Sequence, residues 1–273
     1  MPSLPDYELI DAGDGRRLER LGARLVDRPA PGADEPRREP GAWDRADLRF
    51  EAATGWVGED RKPWSIEVDG IDLQLEPGSG GQVGFFPEHA GFWPWLRERA
   101  RESDSTPVLN LFAATGATTL ALAAGGTAVT HVDSARGAVS RARRNAELSG
   151  LVDRPVRWIV DDALAFVRRE ARRGRTYAGA VLDPPTFGHG RGGERWELVA
   201  KLPQLLDAVA EVLTDEGYLL LTAHTTGLEP QDLARVLRMT FGPGPDITTE
   251  WIELSATSGA TLRLGTAARM IRR

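Results

Sequence analysis

The chain has no cysteine among its 273 residues, which excludes disulfides, thiolate zinc sites and any mechanism built on a cysteine nucleophile. Histidine is scarce as well. His89, His131, His189 and His224 are scattered without metal-ligand spacing, so no metal site is expected. Nowhere do about 18 apolar residues run together, and Met1-Pro2-Ser3-Leu4-Pro5-Asp6 lacks the basic-then-apolar order of a secretory signal. The expectation is a cytoplasmic protein with no membrane partner. An excess of positive charge is also missing: the net charge is −6, which argues against a protein that coats nucleic acid over its whole surface. Only local basic patches are left for such contact.

What is present is a hydrophobic content of 41%, enough for one large core or for a full domain with a small appendage. Residues 1–80 are rich in glycine, proline and charge, with short β-like pieces near Arg24, near Asp47 and in the hairpin from Trp64 to Leu75, which turns at Asp69-Gly70. They are read as a small β-rich N-terminal region. Residues 81–273 alternate strands near Leu109, Val129, Ile159, Val181 and Leu220 with helices near Glu88 to Glu102, Ala135 to Gly150, Ala163 to Arg173, Pro203 to Leu213 and Gln231 to Phe241. Such alternation predicts an α/β fold whose sheet is mostly parallel. The tail breaks the pattern, because Ile247 to Leu254 and Thr261 to Leu264 read as a strand pair with no helix between them and predict an antiparallel last strand.

Chemistry is concentrated where the predicted strands end. Ala180-Val181-Leu182 stops at Asp183-Pro184-Pro185-Thr186-Phe187. Proline has no N–H and a fixed φ, so the pair cannot continue a sheet and holds a rigid extended turn. There the Asp183 carboxylate and the Pro184 carbonyl can hold a substrate amino group while Phe187 offers a ring to stack on. The same residues also satisfy a plain strand-terminating turn. Upstream, Val108 to Phe112 runs into the small-residue turn Ala113-Ala114-Thr115-Gly116-Ala117, the next strand ends at Asp133, and the third ends at Asp161-Asp162. An acid such as Asp133 accepts hydrogen bonds from both hydroxyls of a ribose, and Asp161 or Asp162 can take an adenine amino group. In open α/β sheets these ends border one pocket.

A dinucleotide needs G-x-G-x-x-G, and Ala113 and Ala114 stand where the first glycines belong. A pyrophosphate therefore has no cradle. S-adenosylmethionine, which has no phosphates to surround, needs fewer glycines and is the expected cofactor.

The motifs Gly84-Phe85-Phe86-Pro87-Glu88, Leu109 to Gly116, His131-Val132-Asp133, Asn145 to Gly150, Asp161-Asp162-Ala163 and Asp183 to Phe187 occur in that order. Together they resemble the class I methyltransferases grouped with the large-subunit (23S) ribosomal RNA enzymes. The likeness runs from Tyr7 to about Thr222. It implies a Rossmann-like methyltransferase sheet, a substrate-side N-terminal region, and a short form without the RNA-binding PUA domain of longer relatives. It also implies cofactor contacts from Phe86, Asn110, Phe112, Thr115, Gly116, Ala117, Asp133, Ser134, Asp161 and Asp162, with Asp183, Pro184, Pro185 and Phe187 at the reacting centre and ribosomal RNA as the partner. Three positions depart from the family pattern: Ala114, where Tyr is usual; His89, where Gln is; and Thr186, often Lys. Relatives that make 5-methylcytosine need a cysteine, so direct attack by a nitrogen or oxygen remains.

Two further readings stay open from the residues alone. A small-molecule or protein methyltransferase would keep the cofactor site without basic residues around the loop His189 to Arg195, and a non-catalytic cofactor- or RNA-binding module would share the motifs too. Arg141, Arg143, Arg144, Arg191 and Arg195 are candidates for a local RNA-binding patch, whereas Arg168, Arg169, Arg172, Arg173 and Arg175 read as a solvated helix cap. The aromatics Phe92, Trp93 and Trp95, at helical spacing, are read as core.

Overall fold

The computed structural model describes residues 2–103, 106–189 and 195–272. Two compact units are present: the first groups Met1–Gly91 with Arg144–Ser149 and Ile252–Leu264, the second Phe92–Arg143 with Gly150–Trp251 and Gly265–Arg273.

In the first unit β1 (Tyr7–Gly13), β2 (Arg16–Leu21) and β3 (Arg24–Pro29) form an antiparallel meander, followed by the short helix α1 (Pro40–Trp43) and by β4 (Leu48–Glu51) and β5 (Gly55–Val57), in the sheet order β1-β2-β3-β4-β5. A separate hairpin pairs β6 (Trp64–Val68) with β7 (Ile71–Leu75). Its turn, Asp69-Gly70, has φ of +53° and +75°, the double left-handed geometry that suits the twist of a two-residue hairpin. Asp14-Gly15 does the same between β1 and β2, at +52° and +73°. One buried charge here is met by opposite charges. Glu19, fully buried, accepts from Arg28 Nε at 2.6 Å and from Tyr7 Oη at 3.0 Å. Burial alone would raise its pKa, but Arg17 and Arg28 outweigh it and hold the carboxyl below its ordinary value.

The second unit opens with α2 (Trp93–Arg101). The helix expected from Glu88 starts instead as a 3-10 turn over Pro87–Phe92, and Pro94 sits in the first turn of α2, where a missing N–H costs no intrahelical bond. The chain then alternates β8 (Val108–Leu111), α3 (Ala117–Ala124), β9 (Val129–Asp133), α4 (Arg136–Leu148), β10 (Val156–Val160), α5 (Ala163–Arg172) and β11 (Tyr177–Leu182). A short hairpin of β12 (Phe187–His189) and β13 (Arg195–Glu197) precedes α6 (Leu198–Ala210), β14 (Leu213–Ala223), α7 (Pro230–Phe241), β15 (Asp246–Ser255) and β16 (Thr261–Ile271). α6 starts ahead of Pro203. The row Leu198, Leu202, Leu205, Leu206 and Val209 recurs at helical spacing and is buried, and its leucines, at roughly 1.5–3 kcal/mol each, together outweigh one interior proline.

The seven-stranded sheet has the order β10-β9-β8-β11-β14-β16-β15. Pairs from β10 through β14 are parallel, and β16 runs antiparallel to β14, as the tail predicts. This is the Rossmann-like α/β architecture. The strand order reverses between β8 and β11, so the crevice outside their carboxyl ends is where such a sheet binds ligands. No helix among the described residues is long and apolar enough to cross a membrane.

Candidate active site

Register alone brings the predicted strand ends together. Leu111 pairs with Leu182 on one side and Val132 on the other, and Asp133 pairs with Val160. The residues that follow, Phe112, Asp183, Asp133 and Asp161, therefore leave one edge of the sheet. Along this edge lies an open cleft of about 110 Å³ lined by Phe112, Asp133, Ser134, Asp161, Asp162 and Pro185, together with Val132, Ala163, Gly188 and Trp196.

The turn after β8 is unusual in its backbone. Phe112 and Ala114 take φ of +55° and +47°, and Gly116 takes +87°, three left-handed residues in five. For the two non-glycines this geometry costs roughly 1–2 kcal/mol each, and strain of that kind clusters where a ligand is bound. Asp133 offsets part of it: Oδ2 accepts the Ala114 N–H at 2.9 Å, and Oδ1 accepts the Ala135 N–H at 2.8 Å. Each carboxylate oxygen has two lone pairs, so both can also accept a ribose hydroxyl. Gly116 is required for a different reason than ligand approach, since a Cβ there would lie 2.8 Å from the Ala142 Cβ of α4. It precedes α3 without a side-chain cap.

Several predicted residues lie away from the cleft lining. Asn110 is buried below the turn, its Nδ2 donating to Thr119 Oγ1 at 2.9 Å, and the same hydroxyl lies 2.9 Å from His131 Nδ1. Burial, with Arg143 nearby, lowers the His131 pKa from 6.5 to about 3, so this imidazole is neutral. Thr115 is buried, Ala117 starts α3, and Phe86 belongs to the first unit, its ring 6.2 Å from that of His89.

At the far side of the cleft the two acids after β10 behave differently. Asp162 caps α5, accepting the Ala165 N–H at 2.8 Å, whereas Asp161 is paired with Arg169. Arg169 is thus no solvated cap residue, unlike the exposed Arg168, Arg172 and Arg175. Helix geometry explains why: it lies one turn further along the same face as Ala165 and Phe166, reaching back to the strand end.

Just past β11, Asp183 is half-buried, Pro184 buried and Pro185 exposed, and of the three only Pro185 lines the cleft. Thr222 Oγ1 donates to Asp183 Oδ1 at 2.6 Å, and His224 Nε2 lies 3.2 Å from the same oxygen. Phe187, on β12, is 61% exposed. Sequence reading overlooked Trp196: its indole N–H donates to the Pro185 carbonyl at 2.7 Å and its ring sits 5.2 Å from Phe112. Its nearness to the Asp-Pro-Pro turn was the one available signal. Of the expected basic loop, residues 190–194, including Arg191, lie outside the described residues, and Arg195 is described only as backbone of β13.

The donor set suits an adenosyl group: an acid with spare lone pairs for a diol, Asp162 and the Ala163 backbone beside it, and the rings of Phe112 and Trp196 for a purine face.

Comparison with known proteins gives a consistent result. A family model described as S-adenosylmethionine-dependent methyltransferase matches residues 17–238. The chain is 30% identical over 173 residues to the ribosomal RNA large subunit methyltransferase I of Shewanella amazonensis, a match covering 63% of this chain and 42% of that protein. It thus spans less than half the length of the curated relatives it matches. Among solved structures, the SAM-dependent methyltransferase from Agrobacterium tumefaciens superposes with a TM-score of 0.92 at 33% identity, covering 98% of this chain and 91% of that one. SMU.776 complexed with SAH matches with a TM-score of 0.78 over 97% of this chain and 76% of that one; at 17% identity it shows the fold alone.

Proposed function

The chain belongs to the S-adenosylmethionine-dependent methyltransferase family, and from that premise we propose that it methylates a nitrogen or oxygen of a base in ribosomal RNA. The observation that carries this reading is the alignment at one sheet edge of Asp133, with lone pairs to spare, and Asp183, set in a rigid proline turn.

The bound cofactor supplies an electrophilic methyl group on a positive sulfur. In-line transfer asks the protein mainly for placement, because holding the two reacting atoms near contact removes most of the entropic barrier. Asp133 binds the ribose hydroxyls, and Asp162 with the Ala163 backbone reads the adenine edge, since the Asp161 carboxylate is already engaged by Arg169. Ser134, Phe112 and Trp196 complete the cofactor's walls. Asp183 and the Pro184 carbonyl accept hydrogen bonds from the acceptor's N–H or O–H, aim its lone pair and receive the departing proton. Phe187, exposed beside them, stacks on an unstacked base. Thr115, Gly116 and Ala117 shape the turn, with Asn110 beneath it. With no cysteine in the chain, covalent addition to a pyrimidine ring is closed and the attack is direct.

Support for ribosomal RNA comes from the Shewanella amazonensis relative named above. The test is incubation of the protein with methyl-labelled S-adenosylmethionine and RNA from cells lacking its gene, followed by mapping of the label. Label at one ribosomal RNA base is expected; label confined to small metabolites or to protein would replace the RNA reading with another acceptor class.

A further inference from the structure

Leu182 of β11 pairs with Leu221 of β14, so the parallel register places Asp183 beside Thr222 as both strands end. Three side-chain contacts then join the two exits. Thr222 Oγ1 donates to Asp183 Oδ1 at 2.6 Å, His224 Nε2 approaches the same Oδ1 at 3.2 Å, and Thr186 Oγ1 and Thr225 Oγ1 lie 2.8 Å apart. Thr222 also lies 3.2 Å from the Leu182 carbonyl. A hydroxyl has one proton, and 2.6 Å is the length of a charge-assisted O–H···O⁻ bond, so that proton goes to the carboxylate.

We infer that residues 222–225 are a positioning clamp for the acceptor turn, in which Thr222 and His224 fix the Asp183 carboxylate and Thr225 fixes Thr186. The inference rests on the reading that Asp183 orients the acceptor. Thr222 is 1% exposed, whereas Asp183 is only half-buried, so Thr222 acts on the acceptor through Asp183. With His224 in its Nε2–H form, two donors meet one oxygen and stop the carboxylate rotating about its own bonds. An ionised, fixed carboxylate accepts hydrogen bonds and donates none. The clamp therefore selects acceptors that present an N–H or O–H, such as an exocyclic amino group, over a bare ring nitrogen. Thr186 belongs to the same clamp: its short hydroxyl reaches Thr225 and closes the third contact.

The experiment compares Thr222→Val, Thr222→Ser, His224→Ala and His224→Gln for cofactor affinity and for kcat and KM on the RNA acceptor. Losing one hydrogen bond to a charged group is expected to lower kcat about 10- to 100-fold in Thr222→Val, with cofactor Kd within about twofold of wild type because the cofactor residues are untouched. Serine restores the hydroxyl and should recover most of the rate. Glutamine, which keeps an N–H donor, should retain more activity than alanine at 224. Wild-type kcat in Thr222→Val, or Thr222→Ser as slow as Thr222→Val, overturns the clamp. A readout that needs no acceptor is the ¹⁵N spectrum of labelled histidine: proton occupancy at His224 Nε2, altered in Asp183→Ala, is expected, and a proton on Nδ1 alone overturns the His224 contact. If wild type methylates no RNA, the acceptor reading fails, and the histidine spectrum still decides the clamp.

Discussion

The Ala114 N–H donates to Asp133 Oδ2 at 2.9 Å, so the acid that ends β9 holds the left-handed turn that ends β8. One carboxylate thereby joins two strand exits and remains able to accept from a ribose. Only the backbone of residue 114 takes part in that bond. That is how this chain keeps the turn with alanine at position 114.

Gly116 and Gly126 have nearly the same φ, +87° and +89°, yet a Cβ at 116 meets Ala142 at 2.8 Å while one at 126 meets nothing within 4 Å. Gly126→Ala should cost only the left-handed strain, roughly 1–2 kcal/mol. Gly116→Ala should cost more and also weaken cofactor binding. Urea midpoints of the two variants compare them directly, and equal losses would show that α4 yields freely.

Trp196 ties the β12–β13 hairpin to Pro185 and packs against Phe112 in the cleft lining. Trp196→Ala should weaken cofactor affinity about tenfold, whereas Trp196→Phe, which keeps a ring but loses the indole donor, should weaken it about threefold. Calorimetric titration with S-adenosylhomocysteine reads both. An unchanged affinity in the alanine variant removes Trp196 from the cofactor's wall.

His131 makes acid stability measurable. Its folded pKa of about 3 lies below the ordinary 6.5, so the unfolded chain takes up the proton first as pH falls. The contribution of the neutral imidazole is complete above about pH 6.5 and is lost progressively down to about pH 3, at about 1.4 kcal/mol per pH unit. His131→Gln, which cannot titrate, should show a shallower decline of urea-unfolding free energy between pH 6 and 4. A slope identical to wild type would mean that His131 is protonated in the folded protein.

The alternating half of the chain was legible because its strands are short apolar runs ending in acids: β9 stops at Asp133 and β10 just before Asp161, where the sequence places them. The first strands were not. β1 and β2 contain Asp11, Arg17 and Glu19, which read as loop until Arg28, Tyr7 and Trp43 are found beside them as partners. Asn110 shows another boundary, since sequence locates it at a strand end but not on the side that faces Thr119 rather than the cleft. Thr222 and Trp196 are visible only through register and a hairpin, which bring together residues about 40 and 80 positions apart, as loop closure permits at small added entropic cost.

The account turns on a division of labour between two acids at one sheet edge. Its most direct measurement is cofactor Kd and single-turnover methylation rate for wild type, Asp133→Ala and Asp183→Ala under the same conditions. Asp133→Ala should weaken cofactor binding about 10- to 100-fold, and Asp183→Ala should leave Kd within about twofold while slowing transfer by about 100-fold or more. Wild-type cofactor affinity in Asp133→Ala, or wild-type transfer in Asp183→Ala, would contradict it.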